Sequence, residues 1–269
     1  EIFMTPTAML ADYVLPGDVF TERPHVADTW GWGNRLTLSE QAVAAPAEAS
    51  STFQFWTDLG RRMGFAEHFA WDDLEQVLDH RLEPSGRTFR SFADSVVMEQ
   101  APPQYRKYRK VGFATPSGKV ELASSILAEL GFDPLPYHRE APAPSDAYPY
   151  RVFTGVREDP FFQTGQRNIP VLRRRSPSPK LFLHPDDAAR DGLVDGQWAR
   201  LETPTGQVVA KVSLQSNMLR GHVRVPHGWW YPETRGDLAL AGAFVSSDAV
   251  LCADDDEFLD AEQGIPHFK

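Results

Sequence analysis

The sequence predicts an α/β portion followed by an all-β barrel, and three observations support this prediction. Apolar residues recur at helical spacing in the first portion, prolines then cluster, and short strand-like segments fill most of the remaining chain. A change of pattern across a proline-rich segment is typical of a domain boundary. We therefore expect one domain over residues 1–140 and a second domain over residues 148–269.

Helices are predicted in the first domain because apolar side chains follow one another at intervals of three and four residues. The clearest case places Phe53, Trp56, Leu59 and Met63 on one helix face. Aspartates open the second helix as N-cap candidates, and Gly131 ends the third. The three helices are expected at residues 50–64, 72–82 and 117–130.

Two other features of the first 150 residues are informative. The segment at Phe3 and the apolar run at residues 13–15 are expected to be strand ends, because proline and glycine follow directly. Five prolines between residues 133 and 149 indicate an extended linker, which separates the two predicted domains.

From Tyr150 onward, short segments rich in β-branched and aromatic residues alternate with turn glycines. Alternation of polar and apolar residues predicts strands with one face in water. One helix, from Pro185 to Asp191, is expected among them. The strands are expected at residues 151–154, 181–183, 198–202, 207–212 and 222–225. Short, evenly spaced strands with turn residues are typical of a closed β-barrel.

Composition excludes several classes of protein. The chain has 269 residues, a net charge of −10 and no apolar run near 18 residues, so we expect neither a nucleic-acid partner nor a membrane span. A single cysteine, Cys252, excludes an intrachain disulfide framework and a self-contained iron–sulfur cluster. The start at Glu1, without a signal-peptide core, suggests a piece of a longer protein, which leaves a cytoplasmic or periplasmic location open.

Six segments along the chain form a recognisable series: residues 5–16 with Glu22, 115–122, 154–168, 184–188, 192–196 and 226–230. In this order they resemble motifs of the dimethyl sulfoxide reductase family of molybdopterin enzymes. The histidine–glycine–tryptophan–tryptophan segment at residues 227–230 and the segment at residues 167–170 are similar to the branch with acetylene hydratase and thiosulfate-reductase-like proteins.

The resemblance implies a fold, a cofactor and partners. The last two domains of that family are an α/β domain and a double-psi-type β-barrel, which together hold much of two molybdopterin guanine dinucleotides with molybdenum or tungsten. The metal ligand and any iron–sulfur cluster would then lie in the missing N-terminal half of the enzyme. An iron–sulfur electron-transfer subunit is an open partner. The chain itself is expected to supply no catalytic residue and no metal ligand.

The resemblance also implies which residues face the cofactor. Backbone N–H groups, hydroxyls and guanidinium groups suit a buried pyrophosphate, because unpaired phosphate charge is costly to bury. The expected cofactor-binding residues are Thr154, Gly155, Arg157, Thr164, Arg167, His227, Trp229, Ser247, Lys269 and Asp12. By themselves these residues also fit a strand-end turn with solvated arginines, a turn cap at Asp12, an aromatic domain interface and a solvated terminal lysine.

Three other readings of the chain stay open. A member of this family without cofactor would serve as a structural or interaction module, and a relative that hydrates its substrate would perform no net redox reaction. An unrelated barrel enzyme such as a decarboxylase is the third. The arginines at residues 173–175 are expected in an exposed loop, and Cys252 is expected to be a buried thiol.

Overall fold

The structure is a computed structural model that describes residues 1–28, 36–46, 48–95, 102, 104–135, 137–138, 143–233, 239–253 and 259. The chain divides into two compact units. The first comprises Glu1–Phe3 and Ala11–Val120, and the second comprises Met4–Leu10 and Glu121–Lys269. The domain limits expected from the sequence, 1–140 and 148–269, stay a prediction.

In its described residues the first unit combines a two-stranded antiparallel sheet with four α-helices. The strands are β1 (His25–Asp28) and β2 (Leu36–Ser39). The α-helices are α1 (Thr52–Arg62), α2 (Leu74–Leu82), α3 (Phe89–Ser95) and α4 (Tyr108–Val111). Short 3₁₀ segments lie at Ala66–His68 and Glu83–Ser85. A small core forms where β1, α2 and α3 bury Val26, Leu78, Leu82, Phe89 and Phe92.

Side-chain caps explain where the first two helices begin. Ser51 Oγ accepts from the backbone N–H of Gln54 at 3.1 Å, and Asp73 Oδ1 accepts from that of Gln76 at 2.9 Å. Each bond satisfies a backbone donor that has no partner within the helix. The helices predicted at 50–64 and 72–82 are therefore confirmed.

Two other expectations in this part of the chain are wrong. The third helix is α5 (Ser125–Glu129), much shorter than predicted, because Ser124 caps it and Gly118 closes a turn onto Thr115 upstream. Residues 13–15 form no strand. Pairing in the described residues nearby is limited to an isolated bridge between Gly17 and Ser50.

Among the described residues, the second unit is built on a five-stranded mixed sheet with four α-helices, of which α5 is the first. The strands are β3 (Arg151–Val156), β4 (Lys180–Leu183), β5 (Trp198–Glu202), β6 (Gln207–Leu214) and β7 (His222–Pro226). The other helices are α6 (Pro170–Arg175), α7 (Pro185–Arg190) and α8 (Ala243–Ser246). Short 3₁₀ segments lie at Ala8–Leu10, Ala239–Gly242 and Asp248–Leu251. All five predicted strands and the helix at 185–191 are confirmed.

The strand order is β3-β7-β4-β6-β5, with β3–β7 and β4–β6 parallel and the other two pairs antiparallel. Among the described residues this order is open, with β3 and β5 at the edges, so the predicted closed barrel is not confirmed. The spacing of turns along a sequence gives the number of strands. Closure depends on pairing between distant strands, which turn spacing does not encode.

Alternating residues of the strands form the core of this unit. Strand β6 buries Val208, Ala210 and Val212 on one face and exposes their neighbours, as period-two alternation predicts. These side chains pack with Leu181 and Val223 from the adjoining strands. None of the described helices has the length and apolar character needed to cross a membrane.

Candidate functional site

The parallel pairing of β3 with β7 brings two predicted segments together. Both strands run in the same direction, so both carboxyl ends reach the same edge of the sheet. Gly155 lies at the end of β3, and His227 follows β7 directly. The backbone N–H of His227 donates to the carbonyl of Val156 at 3.0 Å, which continues the pairing into the loops.

Asp248 links these two strand ends. Its carboxylate is 2% exposed and accepts from the backbone N–H of Gly155 at 3.0 Å and from that of Gly228 at 2.8 Å. His227 Nδ1 lies 3.1 Å from Asp248 Oδ2. One buried carboxylate therefore holds the end of β3, the loop after β7 and the 3₁₀ segment on which it lies.

Arg167 ties the loop after β3 to the loop after β7. Its guanidinium is 1% exposed and donates to the carbonyls of Gly228 at 3.1 Å, Gln163 at 3.0 Å and His227 at 2.7 Å. Burial lowers the pKa of Arg167 to about 10, still well above neutral pH, so the group stays charged. A residue expected to face phosphate thus uses two of its three nitrogens on main-chain carbonyls.

Trp229 lies between two guanidinium groups. Its ring is fully buried, with Arg167 4.4 Å and Arg173 4.8 Å from the ring centroid, and Phe161 meets it edge-on. Arg173 is also paired with Glu233 at 2.7 Å. The expectation of an exposed loop at residues 173–175 holds for the exposure of Arg174 and Arg175 but is wrong for the loop and for Arg173. These residues end helix α6, which begins at Pro170, and the side chain of Arg173 is only 15% exposed.

Gly228 is where the two loops approach most closely. A Cβ built at this position would lie 2.2 Å from the methyl carbon of Thr164, and its φ of +61° is in the left-handed region. Trp230 Nε1 donates to the carbonyl of Thr164 at 2.8 Å, on the same contact. Glycine is required here because both the space and the backbone angle exclude a side chain.

Other predicted residues lie nearby or elsewhere. Arg157 is exposed, with its guanidinium 5.2 Å from the centroid of the Phe162 ring. Ser247 caps the 3₁₀ segment that carries Asp248. Asp12 is an exposed residue of the first unit, and Lys269 lies outside the described residues. The structure therefore groups Thr154, Gly155, Thr164, Arg167, His227 and Trp229, and the cofactor role of each residue stays a prediction.

The buried polar atoms of this region are incompletely paired. Seven buried side-chain nitrogen and oxygen atoms lack a hydrogen-bond partner among the described residues. All of them belong to two segments, residues 154–173 and residues 224–229. They are carried by Thr154, Glu158, Arg167, Asn168, Arg173, Arg224 and Trp229. Unpaired buried polar atoms are rare in folded proteins, so seven of them in two segments need a partner such as a ligand, an ion or ordered water.

A cavity of about 1340 Å³ lies against the sheet, lined by the segment before β3 and by parts of β3, β4, β5 and β7. Of the predicted residues, Thr154 alone lines it. Cys252 also lines the cavity, and burial raises the pKa of its thiol to about 11. Within the described part of the chain, no three histidine, cysteine, aspartate or glutamate side chains come together to hold a metal ion.

Asp248 is the residue that the sequence analysis missed. Its neighbour Ser247 was predicted, yet Asp248 makes the bonds to both predicted loops. The local sequence signal was a serine followed by an aspartate, which is typical of any helix cap. Its partners lie 93 and 20 residues away, so only the folded chain reveals them.

The comparisons with known proteins agree with this geometry. Residues 152–253 match the molydopterin dinucleotide binding domain family. That range contains both loops and Asp248. The chain thus carries a molybdopterin dinucleotide-binding domain and belongs to the dimethyl sulfoxide reductase family of molybdopterin enzymes, which confirms the resemblance drawn from the sequence.

Particular relatives define the similarity further. Acetylene hydratase of Syntrophotalea acetylenica is 39% identical over 99% of this chain and 38% of its own length. Trimethylamine-N-oxide reductase of Haemophilus influenzae is 24% identical over 86% of this chain and 32% of its own length. The solved structure of acetylene hydratase from Pelobacter acetylenicus matches with a TM-score of 0.90 and 38% identity, over 98% of this chain and 38% of that one. The chain therefore spans well under half the length of these relatives.

Proposed function

We propose that this chain binds and orients part of a bis-molybdopterin guanine dinucleotide cofactor, carrying molybdenum or tungsten, within a larger enzyme. The observation that carries the proposal is the set of unpaired buried polar atoms in residues 154–173 and 224–229. They belong to strands β3 and β7 and to the segments that follow these strands, which Asp248 and Arg167 hold together. A large polar ligand is the simplest partner for donors and acceptors that the chain leaves unsatisfied.

The residues present fit such a cofactor. Gly155 is exposed and has open space where a Cβ would be, so a ligand can approach the backbone directly. The exposed Arg157 offers a guanidinium to a pyrophosphate, and Thr164 offers a hydroxyl on the same loop. We infer that these groups, with Thr154 and His227, hold the cofactor.

The metal and its dithiolene ligands supply the reaction chemistry when the cofactor is bound. The residues of this chain bind the dinucleotide, fix its orientation and exclude water. We infer that the metal ligand, and any iron–sulfur cluster, come from the part of the enzyme beyond these 269 residues. An iron–sulfur electron-transfer subunit is the partner that a redox reaction would need.

The reaction class has two candidates. An oxidoreductase is the first, because relatives such as trimethylamine-N-oxide reductase perform redox reactions by name. A hydratase is favoured by one observation, the 39% identity to acetylene hydratase against 24% to that reductase. Acetaldehyde formation from acetylene by the full-length enzyme, without electron acceptor consumption, would select the hydratase.

We also propose that the five-stranded sheet is part of a double-psi-type β-barrel. Two parallel pairs, β3–β7 and β4–β6, joined by antiparallel pairing of β4 with β7, fit part of a double-psi-type barrel. An experimental structure of the full-length enzyme tests whether β3 and β5 are joined by further strands. A sheet that remains open in that structure would exclude the barrel.

The decisive experiment is metal and cofactor analysis of the full-length enzyme, expressed without oxygen. We expect about one molybdenum or tungsten atom and two guanosine nucleotides per chain, measured by mass spectrometry after acid release. A folded full-length protein without metal, pterin and guanosine would instead support a structural member of the family that has lost its cofactor.

A further inference from the structure

The strongest unexplained group near the site is the pair formed by His227 and Asp248. The side chain of Asp248 is 2% exposed and that of His227 is 38% exposed. Their contact, 3.1 Å between Nδ1 and Oδ2, accounts for one nitrogen of the ring. The second nitrogen, Nε2, has no hydrogen-bond partner among the described residues, and the part-exposed side chain leaves it open to a ligand.

The hydrogen-bond partners of Asp248 decide the direction of this contact. Backbone N–H groups can donate but not accept, so the bonds from Gly155 and Gly228 use both carboxylate oxygens as acceptors. Oδ2 then accepts from His227 as well, which places the ring proton on Nδ1. In a neutral imidazole with its proton on Nδ1, Nε2 is a hydrogen-bond acceptor.

The main chain around His227 is held just as firmly. Its N–H donates to Val156 at 3.0 Å, and its carbonyl accepts from Arg167 at 2.7 Å. The main chain of His227 is therefore held at two points, and its imidazole is held at one, by Asp248. A ring fixed in position and tautomer is suited to recognising a ligand, because little conformational freedom is lost on binding.

We propose that Asp248 is a positioning residue that fixes His227 as a hydrogen-bond acceptor for an N–H group of the cofactor's pterin or guanine ring. This rests on the proposed cofactor-binding function. It assigns a polarity to the contact, since an Nε2 atom that carries no proton accepts from a ring amide and repels a phosphate oxygen.

Two substitutions of His227 distinguish the role of Nδ1 from the role of Nε2. In His227→Asn, the side-chain amide can still donate to Asp248, but nothing stands at the position of Nε2. In His227→Gln, the longer side chain places an amide near the Nε2 position and gives up the short contact to Asp248. The full-length enzyme is used, and guanosine and pterin content are measured during incubation in cofactor-free buffer, together with the melting temperature.

We expect His227→Asn to lose cofactor about fivefold to tenfold faster than wild type while its melting temperature stays within a few degrees, as the loss of one ligand hydrogen bond implies. His227→Gln should retain cofactor better than His227→Asn. Asp248→Asn should accelerate cofactor loss, because the amide no longer holds His227 in one tautomer.

Asp187→Asn is the matched control. Asp187 is also a buried aspartate that accepts from a glycine N–H at the other end of β7, so its substitution should lower stability without accelerating cofactor loss. Cofactor loss from His227→Asn at the wild-type rate overturns this inference and leaves the proposed function intact. A folded wild-type enzyme without pterin and guanosine overturns both.

Discussion

Strand β7 is bracketed by two glycines that are held in the same way. Before the strand, Gly221 donates its N–H to Asp187 Oδ2 at 2.6 Å, and after it Gly228 donates to Asp248 Oδ1 at 2.8 Å. Both aspartates are almost fully buried. A buried carboxylate that accepts from a glycine N–H therefore anchors each end of the same strand.

The surroundings of the two carboxylates differ. Asp187 has two solvent-exposed arginines near it, Arg190 at 3.7 Å and Arg220 at 3.8 Å. Asp248 instead receives the N–H of Gly155 and the imidazole of His227. The first end is arranged as a surface anchor of the fold. The second end joins two loops at the candidate site. The same contact, a buried carboxylate with a glycine N–H, therefore stabilises the fold at Gly221 and shapes the candidate site at Gly228.

The largest difference in the free energy of unfolding is expected between variants that lack the Asp248 carboxylate and variants that lack the Asp187 carboxylate. Asp248→Ala leaves three donors without their acceptor, one buried and two partly buried, and should lower the free energy of unfolding by about 4 kcal/mol. Asp187→Ala leaves one backbone donor and exposed ion pairs, so about 2 kcal/mol is expected. Urea unfolding followed by tryptophan fluorescence measures both. Equal losses would show that the two ends are energetically alike.

Substitution by alanine should also cost different amounts of stability at the two glycines. Gly228→Ala forces a Cβ onto Thr164 at positive φ and should cost about 3 kcal/mol, from backbone strain and overpacking together. Gly221→Ala meets open space at a φ of +70° and should cost about 1 kcal/mol. Adding Thr164→Ala to Gly228→Ala should recover part of the loss, and no recovery would mean that the strain is entirely in the backbone.

Conservative arginine substitutions sharpen the comparison. Arg167→Lys replaces a buried guanidinium that binds three carbonyls with a single ammonium, so about 2 kcal/mol of stability should be lost. Arg220→Lys, at the exposed end, should change stability by less than about 0.5 kcal/mol. Thermal unfolding of the two variants provides the test, and similar melting temperatures would contradict it.

The smallest effect concerns Cys252, whose thiol lies 3.6 Å from the carbonyl of Asp248. Burial raises the pKa of this thiol to about 11, against about 8.5 for an unfolded cysteine. The folded chain therefore keeps a proton that the unfolded chain releases, so stability should fall as pH rises from about 8.5 to about 11.

The alkylation rate of Cys252 reports the raised pKa of its thiol directly. Iodoacetamide should label Cys252 at pH 8.5 at least about tenfold more slowly in the folded chain than in urea, because the thiolate is the nucleophile. Mass spectrometry measures the rate, and Cys252→Ser should remove the corresponding pH dependence of unfolding. Equal labelling rates in the folded and unfolded chain would exclude a raised pKa.

Features set by neighbouring residues were predictable from the sequence. Helices α1 and α2 follow from apolar spacing and from the caps Ser51 and Asp73, and the strands of the second unit follow from alternation and turn glycines. Helix α5 was predicted too long because Ser117 was taken to lie near its start, whereas the backbone turns at Gly118 and Ser124 caps the helix.

The candidate site was predictable as a set of segments, since the residues at the ends of β3 and β7 were identified before their contact was known. The direction of each side chain was not. Arg167 turns inward to main-chain carbonyls, and Arg173 packs on Trp229 rather than projecting from a loop. Both outcomes depend on aromatic and carbonyl partners that lie far along the chain.

Helices α1, α2 and α7, the five strands of the second unit and the membership in a molybdopterin enzyme family could be read from the chain, because periodicity, caps and motifs lie in neighbouring residues. The order of the five strands, the inward turn of Arg167 and the contacts of Asp248 became visible only in the folded molecule. The physical reason is that strand pairing and the satisfaction of buried donors join residues that are distant in sequence, and such partners become identifiable only when the chain has folded.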